Sequence, residues 1–203
     1  MSQREVVRDL VSEHGQTYAE QAGIPLRDKP APLFQLLVLT MLSSARIAAD
    51  IAVSSAKELF AAGWRTPEKL RDATWQERVD ALVRGGYRRY DESTSTQLEK
   101  LATHVLDVHA GDLRRLRPES HDGVDHLLAA LTDVPRIGDT GAAIFCREVQ
   151  VVWPEVSPFF DRRALASARG RGLPAEPAAL ADLAPRGKVA ALATALVRAE
   201  LDG

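Results

Sequence analysis

Between Leu128 and Ala143 the chain reads LAALTDVPRIGDTGAA, two helical runs separated by Pro135-Arg136-Ile137-Gly138. Proline cannot continue the first helix, and Gly138 permits a positive φ and a close approach by a nucleic-acid backbone. The second helix opens at Asp139-Thr140. The amides of such a turn, with the unsatisfied N–H groups and positive dipole end of the following helix, can hold a phosphate without a charged side chain. A purely structural connection between two helices would look the same. Further on, Asp161 stands at the head of DRRALASARG. An aspartate in front of a helical run is an ordinary N-cap, and its residue type alone implies no more than that.

These residues need elements to position them. Hydrophobic side chains make up 45% of the 203 residues and aromatics only 5%, so the core must be aliphatic and helical, in one compact unit without strand alternation. Periodicity predicts a helix over Glu5 to Ala22 and a loop at DKPAP. A helix from Leu33 to Ser44, apolar nearly all round, should then lie central and buried. Further helices are predicted from Ile47 to Ala62, in two short pieces after Thr66 and Thr74, from Asp91 to His109 and from His121 to Leu131. The last ones run from Thr140 to Val152, through DRRALASARG, and from Lys188 to Leu201, with GLPAEP as a loop.

A single cysteine, Cys146, excludes an internal disulfide, a cysteine-rich zinc site and a four-cysteine iron–sulfur cluster, and no metal is expected. No apolar run reaches the length of a membrane span, so a cytoplasmic protein is expected, associated with the nucleoid if the source is bacterial. A net charge of −2 argues against bulk electrostatic attraction to nucleic acid, but arginines gather at Arg84/Arg88/Arg89, Arg114/Arg115/Arg117, Arg136, Arg162/Arg163 and Arg169/Arg171. They make either a local basic surface or a scatter of solvated side chains.

Four stretches in order carry a resemblance: FQLLVLTMLSS from Phe34 to Ser44, Gly86-Tyr87-Arg88, the PRIG turn with Ala142 after it, and WPEVSPFFD ending at Asp161. Together they resemble the helix-hairpin-helix DNA glycosylase superfamily, endonuclease III-like, over roughly residues 32 to 172. The resemblance implies an all-α fold of two helical lobes. Residues 1–203 would form a single helical unit, with a six-helix-type core region at 32–132, the hairpin and aspartate at 128–172, and a second lobe from 1–31 with 173–203. It also implies double-stranded DNA as partner of a monomer.

Enzymes of this superfamily extrude a nucleotide and break its N-glycosidic bond through an oxocarbenium-like state that a carboxylate stabilises; Asp161 matches that carboxylate. Thr140 stands where bifunctional relatives carry the lysine that forms a Schiff base, and a hydroxyl forms no imine. The expected activity is therefore a monofunctional DNA glycosylase of base excision repair, hydrolysing the bond to a damaged or mispaired base without AP lyase activity. Arg136 replaces a turn glycine of the family and either strains the turn or aims a guanidinium at the same phosphate. Arg162 and Arg163 replace a threonine and a histidine, and the interval from hairpin to aspartate is a few residues longer. Arg46 falls where a gap-filling side chain would enter the stack. Arg46, Arg136, Ile137, Gly138, Thr140, Arg162 and Arg163 make up the DNA-contacting set. The alternative is a non-catalytic helix-hairpin-helix DNA-binding protein; a helical adaptor whose hairpin holds protein is more distant. An enzyme should open Asp161 to a cleft, whereas a binder could seal it with Arg162 or Arg163.

Overall fold

The computed structural model describes residues 2–201, and over these the chain is all-helical. Met1, Asp202 and Gly203, at the ends of the expected unit, lie outside the described residues. In order the helices are α1 (Gln3–His14), α2 (Tyr18–Gln21), α3 (Pro30–Ser43), α4 (Ala49–Ala61), α5 (Pro67–Asp72), α6 (Trp75–Arg84) and α7 (Asp91–His109). They continue with α8 (Val124–Thr132), α9 (Asp139–Val149), α10 (Arg162–Gly170), α11 (Pro177–Leu183) and α12 (Val189–Leu201), with 3-10 turns at Leu113–Leu116, His121–Gly123 and Pro154–Val156. No helix among the described residues is long and apolar enough to cross a membrane.

Helix starts follow local chemistry. Ser2 with Glu5, Thr17 with Glu20 and Thr74 with Glu77 each form a reciprocal capping box. The second of these breaks the single helix expected from Glu5 to Ala22. Thr17 starts a new helix, and at Gly15 any Cβ would stand 2.3 Å from the Val11 carbonyl oxygen. Two expected loops are partly helical for a related reason. Pro30 and Pro177 occupy first-turn positions, where a missing N–H costs nothing, so DKPAP runs into α3 and α11 follows GLPAE directly. The helix expected to run to Val152 stops at Val149.

Two apolar clusters organise the molecule. The larger is built on α3, whose residues Leu33 to Leu42 are all buried, and gathers side chains from α2 through α9 and from Trp153 and Val156. The smaller joins Val7 and Leu10 of α1 to Phe160, α10, Leu173, Leu180 and α12. α2 belongs to the larger cluster, and the chain crosses from the larger to the smaller between Phe159 and Phe160.

A buried polar keystone holds α5, α6 and α7 together. Arg78 donates to the carbonyls of Leu70, Arg71 and Ala73 at the open end of α5, to Ser95 Oγ and to the Glu99 carboxylate. One guanidinium thus satisfies carbonyls that a short helix leaves unpaired.

Candidate functional site

The hairpin turn runs from Val134 to Ile137 and is closed by the Ile137 N–H donating to the Val134 carbonyl at 3.0 Å. Pro135 is the second residue of the turn and Arg136 the third, with φ +66°, the pattern of a type II turn. The positive φ of the turn thus falls on Arg136, not on Gly138, which would permit it. Gly138 is extended (φ −95°, ψ −172°), and a Cβ there would meet nothing within 4 Å. Turn geometry is the reason: the left-handed position is the third of the four, and Gly138 lies beyond it as the N-cap of α9.

The glycine that packing does require is Gly141. A Cβ on it would lie 2.7 Å from Ser44 Oγ and 3.2 Å from Ile137 Cγ2, so the first turn of α9 rests directly on the end of α3. Ile137 itself is buried in the larger cluster and shapes the turn from within. No side chain caps α9, so its first-turn amides and positive dipole end stay open at the surface beside the exposed Arg136.

Next to this turn lies a cleft of about 1080 Å³, walled by the Ser43–Ala49 segment, one face of α9, the start of α10 and the end of α12. Arg46, Thr140, Asp161, Arg162 and Arg163 all line it; Arg136, Ile137 and Gly138 do not. On α9 the lining residues Thr140, Ile144 and Arg147 follow helical spacing along one face.

Asp161 is engaged on both oxygens. Oδ1 accepts the Ala164 N–H at 2.8 Å, which makes it the N-cap of α10, and Oδ2 accepts from Arg147 Nη1 at 2.5 Å. The pair is largely sequestered, with side-chain exposures of 10% for Asp161 and 4% for Arg147. Arg162 and Arg163, the expected partners of a sealed aspartate, are exposed instead. Arg147 went unnoticed in the sequence. Its signal was its place two helical turns after Thr140, on the face that Thr140 presents.

Further positive charge closes the floor. The Arg198 guanidinium carbon lies 4.2 Å from the centre of the Tyr18 ring and that of Arg147 5.7 Å from it, and Arg198 Nη2 donates to Gln21 Oε1. Glu148, adjacent to Arg147, points away from the cleft. It accepts the Tyr18 and Ala19 N–H groups at 3.4 and 2.9 Å and the Thr194 hydroxyl at 3.2 Å. Cys146 is buried, and desolvation pushes its thiol up to about 12, far from the thiolate that nucleophiles and metal sites use. No group of three or more His, Cys, Asp or Glu placed to hold a metal occurs among the described residues.

No protein-family model matches the chain, and no curated protein matches it. Among solved structures, it is similar to endonuclease III in a trapped covalent intermediate with DNA, an estranged-adenine complex, with a TM-score of 0.53 and 17% identity. It is also similar to endonuclease III in a non-covalent complex with DNA, with a TM-score of 0.54 and 16% identity. In both cases 97% of this chain and 85% of the other are covered. The two-cluster helical architecture is thus the endonuclease III-like fold.

Proposed function

We propose that the protein binds duplex DNA as a monomer through the α8–α9 hairpin and hydrolyses the N-glycosidic bond of a nucleotide extruded into the adjacent cleft. The observation that carries this reading is the meeting of Asp161, Thr140, Arg46, Arg162 and Arg163, drawn from three separate stretches of sequence, on one cleft beside an uncapped helix N-terminus. The amides of α9 and Arg136 are suited to one phosphate and the exposed arginines at the rim to others. Asp161 is held in a single orientation at the wall. There its carboxylate can stabilise positive charge developing on the sugar and orient the attacking water.

Thr140 offers no amine at the start of α9, so the proposed reaction is hydrolysis without strand cleavage. An iron–sulfur cluster plays no part in this reading: a four-thiolate set is required, and the single cysteine of the chain is sealed in the larger core.

The test is base release from a panel of duplexes carrying damaged and mismatched bases. Wild type should release base and leave strands that break only after alkali, with no adduct trapped by borohydride. Asp161→Asn should keep or raise DNA affinity, since a negative charge is removed, and lose base release by about 10²-fold or more. Equal activity in the variant would remove Asp161 from the mechanism, and a trapped adduct would place an amine such as Lys188 at the sugar. A second reading, a non-catalytic DNA-binding protein, is favoured by the Arg147 ion pair that neutralises the carboxylate; absence of base release across the whole panel would select it.

A further inference from the structure

Arg147 is buried, lines the cleft and is poorly used. A guanidinium carries five N–H donors. Among the described residues, Arg147 makes one hydrogen bond, from Nη1 to Asp161 Oδ2, and its Nε–H is buried without a partner. Guanidinium–carboxylate pairs reach full strength as two-pronged forks, and this pair has a single prong, on Oδ2, while the other carboxylate oxygen accepts the Ala164 N–H. A single-pronged ion pair with a spare donor therefore sits on the α9 face that begins at Thr140, in the wall that a deoxyribose-phosphate would have to pass.

We infer that Arg147 is a DNA-phosphate ligand held in reserve by Asp161. In the free protein the carboxylate keeps the guanidinium neutralised inside the cleft. A phosphate flanking the extruded nucleotide then takes the guanidinium over, since it presents two oxygens to the fork where Asp161 presents one. The exchange leaves Oδ2 of Asp161 free to face the sugar, while Oδ1 stays fixed by the cap of α10. The ion pair is thus a latch that substrate opens, and the neutralised aspartate of the free protein is its resting state. This inference rests on the DNA reading of the cleft.

The experiment measures binding of the full chain to a duplex containing a tetrahydrofuran abasic analogue, by fluorescence anisotropy across a salt series, for wild type, Arg147→Met, Asp161→Asn and the double variant. Arg147→Met should weaken binding about tenfold and make the log–log salt slope shallower by about 0.9, the signature of one phosphate contact. Asp161→Asn should tighten binding several-fold where Arg147 is present and not in the double variant, because its effect is to release Arg147. Equal tightening in both backgrounds would reduce the effect to simple removal of a negative charge and overturn the latch, as would an unchanged salt slope in Arg147→Met. Arg147→Gln, which keeps a hydrogen bond to Asp161, replaces the methionine variant if circular dichroism shows that the latter is unfolded. Loss of duplex binding by the wild type at low salt would instead overturn the DNA reading on which the latch depends.

Discussion

Arg136 carries a Cβ at φ +66°, a conformation that costs an L-residue about 1–2 kcal/mol and glycine almost nothing. Its guanidinium is exposed at the hairpin tip, the position the proposed phosphate contact would use. Arg136→Gly should therefore stabilise the fold by on the order of 0.5–1 kcal/mol, after allowing for the greater freedom of glycine in the unfolded chain, and raise Tm by about 2 °C. The same variant should bind duplex DNA more weakly. Stability and affinity moving in opposite directions, read by thermal unfolding and anisotropy, is the expected outcome; a variant that is both less stable and equally tight would contradict it. Residue types made the hairpin recognisable, but they left open which of Arg136 and Gly138 takes the left-handed position. A conformational demand belongs to a place in a turn, and the most permissive residue nearby need not occupy it.

At the scale of elements, α7 ends in a buried imidazole. Burial first, then the neighbouring charges of His104 and Arg115, hold His109 below the usual histidine value of 6.5. The folded state thus favours neutral His109 while the unfolded chain protonates normally. This contribution to stability is fully present above about pH 6.5 and is lost as pH falls through the depressed folded value. His109→Gln should flatten the decline in stability between about pH 7 and 5, seen as urea midpoints that change less with pH than in wild type; parallel declines would remove His109 from the acid response. The limits of α7, Asp91 to His109, were legible in its sequence because one long apolar stripe runs between clear stops. The break between α1 and α2 was not, because Val6, Leu10, Val11 and Tyr18 keep nearly helical spacing across it, and the capping box at Thr17 outweighs that period.

Over the whole molecule, the two apolar clusters are joined by a buried polar pair in α9. Arg147 reaches to Asp161 at the head of α10, and Glu148 reaches to the first amides of α2 and to Thr194 in the middle of α12. Glu148→Ala would strand two amides and a hydroxyl in the interior, a cost of about 3 kcal/mol. For a chain of this size Tm should fall by about 6–12 °C. Both clusters should still unfold in one transition, checked by calorimetry against circular dichroism; separate transitions would show that the joint couples the lobes and not merely stabilises one of them.

The chain's own residues determined its all-helical character, the buried central helix, the hairpin and the aspartate that follows it, because periodicity, caps and turn residues act within a few positions of one another. What only the tertiary structure decided is the state of that aspartate. Asp161 and Arg147 lie fourteen residues apart, and no local pattern states that the cleft-facing side of α9 will bring a buried cation to the head of α10. That contact depends on α9 lying close against α3, as Gly141 permits, and on Glu148 anchoring the next position to α2 and α12. Local rules place a carboxylate at the mouth of a helix; the packing of three helices around it determines which charge it meets.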